Sequence, residues 1–151
     1  MHDTPPEGAQ SGSGTGTAAI TNQTVQGRTA VTLLRTVAVL NLLGTLSQGL
    51  TAGMFLNGDA SSIDPHQTSA FVVEFLVVVQ LVLAILVWRR NRWLKWPLPG
   101  AISILVFTFT QVALGVEGSG TAHVTLGVAL SAMAMAMVLR SLQLRVADST
   151  T

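Results

Sequence analysis

The stretch FVVEFLVVVQLVLAILVWRRNRWLKWPLPGAISILVFTFT, residues 71–110, decides the fold. Two apolar runs flank a joint that holds Trp88, Arg89, Arg90, Arg92, Trp93, Lys95 and Trp96 and then breaks at Pro97-Leu98-Pro99-Gly100. A hydrocarbon core of about 30 Å is crossed by about 20 helical residues rising about 1.5 Å each. The runs at 66–88 and 98–116 reach that length, so the stretch reads as a helical hairpin with its turn at a membrane surface. The three Trp fit an interfacial aromatic belt, where anchoring is their ordinary use.

Working outward, two more runs have the same character, 34–56 and 122–140. Their breaks carry helix punctuation: Asn57-Gly58-Asp59 with Asp64-Pro65, and Gly118-Ser119-Gly120-Thr121. Four spans joined by short loops predict an all-α integral membrane bundle of up-down-up-down form over 29–141. Residues 1–28, rich in Gly, Ser, Thr and Gln, read as a disordered tail, and 142–151 as a short second tail. Charged residues make up 10% of the 151, against about a quarter in an average soluble domain.

The basic residues set the expected orientation. Arg28 and Arg35 precede the first span, Arg89, Arg90, Arg92 and Lys95 join the second to the third, and Arg140 and Arg145 follow the fourth. The other two loops hold Asp59, Asp64 and Glu117 and no Lys or Arg. All 8 basic residues therefore share one side, which the positive-inside rule makes cytoplasmic, with both termini inside a plasma or inner membrane.

Several chemistries are excluded. The chain has no Cys, which removes disulfides, thiolate metal sites and cysteine nucleophiles. A net charge of +1 without a basic patch beside exposed aromatics gives nucleic acid nothing to bind. No serine nucleophile with a base and no phosphate loop is present.

A weak internal repeat pairs the two hairpins. Gln48-Gly49-Leu50-Thr51-Ala52-Gly53 precedes the first acidic loop and Gln111-Val112-Ala113-Leu114-Gly115 the second; His66 with Ala70 then opens span two, and His123 with Gly127 span four. Repeats of two spans keep both halves in one orientation, so equivalent residues share a depth. Asp64 as N-cap with Pro65, and Thr121 as N-cap with Ala122, would put both His at the second helical position. In a sequentially connected bundle, helices two and four are diagonal, and two imidazoles at matched depth can face each other as in a bis-His haem b site. Small residues one turn deeper, Ala70 and Gly127, with Gly49, Gly53 and Gly115 on the facing spans, would leave room for a flat macrocycle. The bland alternative is a pair of solvated interfacial histidines.

A deeper polar layer is expected from Gln48, Glu74, Gln111 and Ser131, one per span. An intramembrane carboxyl is costly when charged and is a functional candidate by default. For Glu74 the choices are proton transfer, ligand binding, or a protonated group bonded to Gln48 or Gln111. Gly44, Gly49 and Gly53 predict close helix contacts. Met133, Met135 and Met137 fall on different faces and read as packing or lipid contacts.

The segments LNLLGTLSQGLTAG (40–53), DPHQTSA (64–70) and LVFTFTQVALGVEGSGTAHVTLGVAL (105–130) resemble one four-helix half of the haem A synthase family, and small four-helix membrane proteins that keep such a half. The resemblance covers roughly residues 36–140 and implies that His66 and His123 are axial haem ligands near the outer face. With one unit and no Cys, it implies electron transfer or haem handling rather than bond-making catalysis. Two other readings stand beside it: a cofactor-free accessory or scaffold subunit packing on a membrane partner or on its own copies, and a small proton-coupled carrier built around Glu74.

Overall fold

The computed structural model describes the backbone of residues 14–144 and the side chains of residues 27–144. Four helices make up the described chain: α1 (Gly14–Leu56), α2 (Ile63–Arg90), α3 (Pro97–Val116) and α4 (Gly120–Leu142), with a short 3-10 turn at Ala60–Ser62 before α2. No strand occurs among the described residues. Over Gly27–Leu56, Ala60–Arg90, Pro97–Val116 and Gly120–Leu142 the chain is long and apolar enough to cross a membrane four times.

α1 begins at Gly14, well before the expected span, so part of the stretch read as a tail is helical. Once a helix is nucleated, each added residue gains a hydrogen bond at little further cost, and 14–28 contain no Pro to stop the propagation. Residues 1–13 of that tail, and most of the one expected at 142–151, lie outside the described residues.

The helices pack in chain order around a square, α1 against α2, α2 against α3, α3 against α4 and α4 back against α1, with no backbone contact across either diagonal. Each turns one stripe inward at steps of three and four, the spacing that returns a helix to the same face. The stripes are Leu34, Val37, Ala38, Asn41 and Leu42 on α1; Val73, Val77, Gln80, Ala84 and Val87 on α2; Ala101, Ile104 and Thr108 on α3; Leu130, Ala134, Met137 and Ser141 on α4. Of the three Met, Met137 is buried, Met133 half-buried and Met135 exposed, as different faces require.

Both acidic loops begin with the same backbone motif. Gly58 (φ +95°) and Gly118 (φ +76°) are left-handed, a conformation a side chain resists. Around them Gly58 N–H donates to Phe55 O (3.0 Å) and Asp59 N–H to Met54 O (3.1 Å), while Gly118 N–H donates to Gly115 O (3.2 Å) and Ser119 N–H to Leu114 O (3.0 Å). This is the paired Schellman closure of a helix C-terminus. The loops differ only afterwards, where the first inserts the 3-10 turn, closed by Ser61 N–H donating to Asp59 Oδ1 (3.1 Å).

The helix starts differ from expectation. Because the 3-10 turn hands its chain directly to α2, the N-cap is Ser62 rather than Asp64, and in the second half it is Ser119 rather than Thr121. Both shifts run the same way, so His66 and His123 each occupy the fourth helical position.

Candidate functional site

The inward stripes end before the acidic loops. Among the described residues every buried apolar side chain lies within 30–42, 73–87, 101–104 or 130–138, apart from Pro97 at the basic end of α3, so the end of the square beside the acidic loops has none. Carried two turns further toward the loops, the α2 stripe arrives at His66 from Val73 and the α4 stripe at His123 from Leu130. Both imidazoles are half-buried, and their ring centroids lie 6.1 Å apart at an interplanar angle of 65°. The sequence leaves their rotation open; in the fold they meet across the α2/α4 diagonal.

Each ring is tied by Nδ1 to an odd-numbered helix. His123 Nδ1 lies 2.8 Å from the backbone oxygen of Gln111, which can only accept, so this nitrogen carries the proton. His66 Nδ1 lies 3.0 Å from Thr51 Oγ1. The same hydroxyl lies 3.1 Å from the carbonyls of Ser47 and Gln48 on its own helix, which ties it to the α1 backbone beside the ring. His123, its Nδ1 protonated, therefore keeps its Nε2 lone pair for a ligand, the tautomer that metal-bound His commonly shows when its other nitrogen donates to a fixed acceptor.

The two halves use the same partner: the Gln48 backbone bonds the His66 ring as the Gln111 backbone bonds that of His123. In the first half the Thr51 hydroxyl adds a second contact, 3.0 Å from His66 Nδ1.

The small residues serve more varied ends than expected. A Cβ on Gly115 would come within 2.9 Å of His123 Cε1 and 3.0 Å of Nδ1, so glycine here lets the ring lie on the α3 backbone. A Cβ on Gly127 would stand 3.0 Å from Gln111 Nε2, so that space holds an amide and does not remain free for a macrocycle. Gly44 accommodates Val73 Cγ2, 2.9 Å from its would-be Cβ. Gly49 and Gly53 have nothing within 4 Å; with Leu50, Met54, Asn57 and Asp59 they line a trough of about 440 Å³ on the outer end of α1, and Ala70 is half-buried one turn below His66.

The four polar groups expected to form one layer bond separately. Gln48 Nε2 donates to His66 O (2.9 Å) and to Ser69 Oγ, securing the first turn of α2 rather than its imidazole. Ser131 donates back to Gly127 O on its own helix (3.0 Å). Glu74 is half-buried, and no hydrogen bond joins it to Gln48 or Gln111. The Oε1 of Gln111 is buried without a partner.

Two polar features escaped the sequence reading. Asn41 and Gln80 are each 1% exposed, and Asn41 Nδ2 donates to Gln80 Oε1 at 3.2 Å while Asn41 Oδ1 and Gln80 Nε2 are unpaired. Arg35 is more than a topology signal: Nε donates to Ser141 O (2.8 Å) and its guanidinium also reaches Leu144 O, closing the end of α4 from α1.

As a donor set, the pair offers two imidazoles. No group of three or more His, Asp or Glu among the described residues is placed to hold a metal ion. Two protein ligands suit an ion that brings its other ligands with it, as haem iron does. Metal–imidazole bonds of about 2.0 Å, with about 1.1 Å from ring nitrogen to ring centre on each side, would separate two centroids by about 6 Å with both nitrogens in line on one ion; the rings here lie 6.1 Å apart in an edge-on arrangement. The outer loops carry Asp59, Asp64 and Glu117 but no Lys or Arg, so carboxylates on a bound macrocycle would be left to water. Comparison with known protein families, with curated proteins and with solved structures finds no match for the chain.

Proposed function

We propose that this chain is a multi-pass protein of a plasma or inner membrane, an up-down-up-down bundle with both termini on the cytoplasmic side, that binds one b-type haem between His66 and His123. The resemblance to one half of the haem A synthase family belongs to the same proposal. The observation that carries it is the 6.1 Å spacing of two imidazoles across the diagonal, above a packed core and inside a rim that has no buried apolar side chain.

His66 and His123 would hold the haem, which would supply reversible one-electron transfer. The protein's own work is to hold the rings. Gln111 O sets the tautomer and rotation of His123, the Thr51 hydroxyl and the Gln48 backbone orient His66, and Gly115 lets the His123 ring approach α3. This suits electron transfer or haem handling, with no nucleophile or acid–base pair for bond-making chemistry.

Absorption spectroscopy of the detergent-purified protein tests the reading. A Soret band with low-spin bis-His features is expected, lost in the His66→Ala, His123→Ala double variant. Colourless protein from haem-replete cells overturns it.

The trough along Gly49 and Gly53 favours a second reading, an accessory subunit seating a partner's helix there, or one from a second copy of this chain. Stoichiometric co-purification of a membrane partner, unaffected by substitution of both His, would favour it over haem binding. The carrier reading rests on Glu74, whose surroundings add no polar partner; transport unchanged in Glu74→Gln would end it.

A further inference from the structure

The basic end of the bundle has a defined arrangement as well as a charge. Among the described residues every Lys and Arg lies toward that end, while Asp59, Asp64 and Glu117 lie at the opposite loops and Glu74 between. The joint from α2 to α3 is pinned to the frame: Leu94 N–H donates to Asn91 O (3.0 Å), Lys95 N–H to Trp93 O (3.1 Å), and the side chains of Leu94 and Trp96 pack on the core. Two guanidiniums stand on indole rings, Arg92 4.9 Å from the Trp88 centroid on the α2 side of α3, and Arg140 of α4 5.9 Å from that of Trp96. Such a ring holds a guanidinium in place without neutralising it. Trp93 is 94% exposed, with Arg92 and Lys95 exposed on the same short joint. This is the basic patch beside an exposed aromatic that the sequence reading did not find. Membrane topology asks only that the charges share a side; it does not require them to be stacked on rings or the joint to be pinned.

We propose that this end is a binding surface for anionic phospholipid, with headgroup phosphates held by Arg92, Lys95 and Arg140 and with Trp93 entering the headgroup layer. The planar fork of a guanidinium matches phosphate oxygens, and an indole suits a boundary that is apolar on one side and wet on the other. Four helices of membrane length end here, so the anions within reach are those of the adjoining leaflet rather than a soluble polyanion. A basic side chain at a membrane surface strengthens attraction to anionic lipid about fivefold. The inference uses neither the His pair nor the direction in which the bundle faces.

The chain's own fluorescence reads this surface, because all 3 of its Trp lie here and it has no Tyr. The full-length protein is reconstituted into vesicles of phosphatidylcholine mixed with phosphatidylglycerol, one lipid or the other carrying brominated acyl chains that quench Trp. The wild type should be quenched preferentially by brominated phosphatidylglycerol. Arg92→Gln and Arg140→Gln should each lower that preference by up to about fivefold, with helical content by circular dichroism unchanged. Arg92→Lys, which keeps the charge and gives up the planar fork, should fall between. Arg89→Gln removes the same charge from an exposed side chain outside both ring pairs and should lower the preference less. Inorganic phosphate at matched ionic strength should leave the preference unchanged. Equal quenching by the two brominated lipids in the wild type overturns the proposal. A loss in Arg89→Gln as large as in Arg92→Gln also overturns it, by reducing the surface to diffuse charge, and displacement by inorganic phosphate would make it a site for a soluble anion instead.

Discussion

Gly115 and His123 are in contact across the α3/α4 interface, so closely that a methyl group on Gly115 would lie 2.9 Å from the imidazole Cε1. In a helix interior, replacing Gly by Ala ordinarily stabilises by about 1 kcal/mol. At this position the added carbon pushes the ring off α3 and breaks its bond to Gln111 O. Gly115→Ala should therefore lose the Soret band while the helical content and melting temperature by circular dichroism hold or rise. Intact haem binding in this variant would mean that the ring is not seated on the α3 backbone.

Gly44 gives the contrasting case, because its would-be Cβ meets Val73 Cγ2 at 2.9 Å inside the packed region. Overpacking of this kind costs about 1–3 kcal/mol. Gly44→Ala should lower stability in an SDS-unfolding series and leave the haem spectrum unaltered, with recovery when Val73→Ala is added. The two glycines thus separate packing from ligand placement.

The amide pair at the centre of α1 and α2 predicts a measurable coupling. Asn41→Leu alone strands the Gln80 amide in an apolar core, at a cost of about 1–3 kcal/mol. Replacing both by Leu removes the stranded group as well, so the double variant should be more stable than either single one. Polar contacts between membrane helices average only about 0.6 kcal/mol, so additive losses in the cycle would show that the two amides do not meet.

Arg35 caps α4, so its removal should be felt on another helix. Arg35→Met keeps much of the side-chain length and removes the donors to Ser141 O and Leu144 O. Amide exchange should quicken selectively over the last turn of α4, and Arg35→Lys should recover only part of the protection because an ammonium lacks the planar fork. Unchanged exchange there would place the guanidinium elsewhere in the membrane-bound protein.

The absence of native Cys makes the proposed orientation simple to read. Ser61→Cys, in the first acidic loop, should react with an impermeant maleimide added to intact cells or spheroplasts. Asn91→Cys, in the basic joint, should react only after permeabilisation. The opposite pattern would invert the bundle.

Much of this architecture is local and therefore legible in the residues. Apolar runs of membrane length and the Gly and Pro at their breaks mark four helices, and the matched positions of His66 and His123 mark the candidate pair, whereas the way the two rings face is set by packing of the inward stripes. What was missed depends on partners far along the chain. Asn41 and Gln80 look like stray polar residues within apolar runs until packing brings them together 39 positions apart. Arg35 and Ser141, 106 apart, carry no shared local signal. The N-caps were misplaced for a different reason: Asp64 and Thr121 are good capping residues, but the turns made by Gly58 and Gly118 had already set the direction of the chain, so the helices start earlier.

Since no two diagonal backbones approach one another, the space at the outer end is spanned by side chains alone. The ring contact therefore depends on two rotamers, each tied by its Nδ1 to the neighbouring odd helix, and not on any helix crossing. The four-sided backbone frame and its apolar floor would stand without either imidazole, so the pair can be changed one ring at a time without dismantling the bundle.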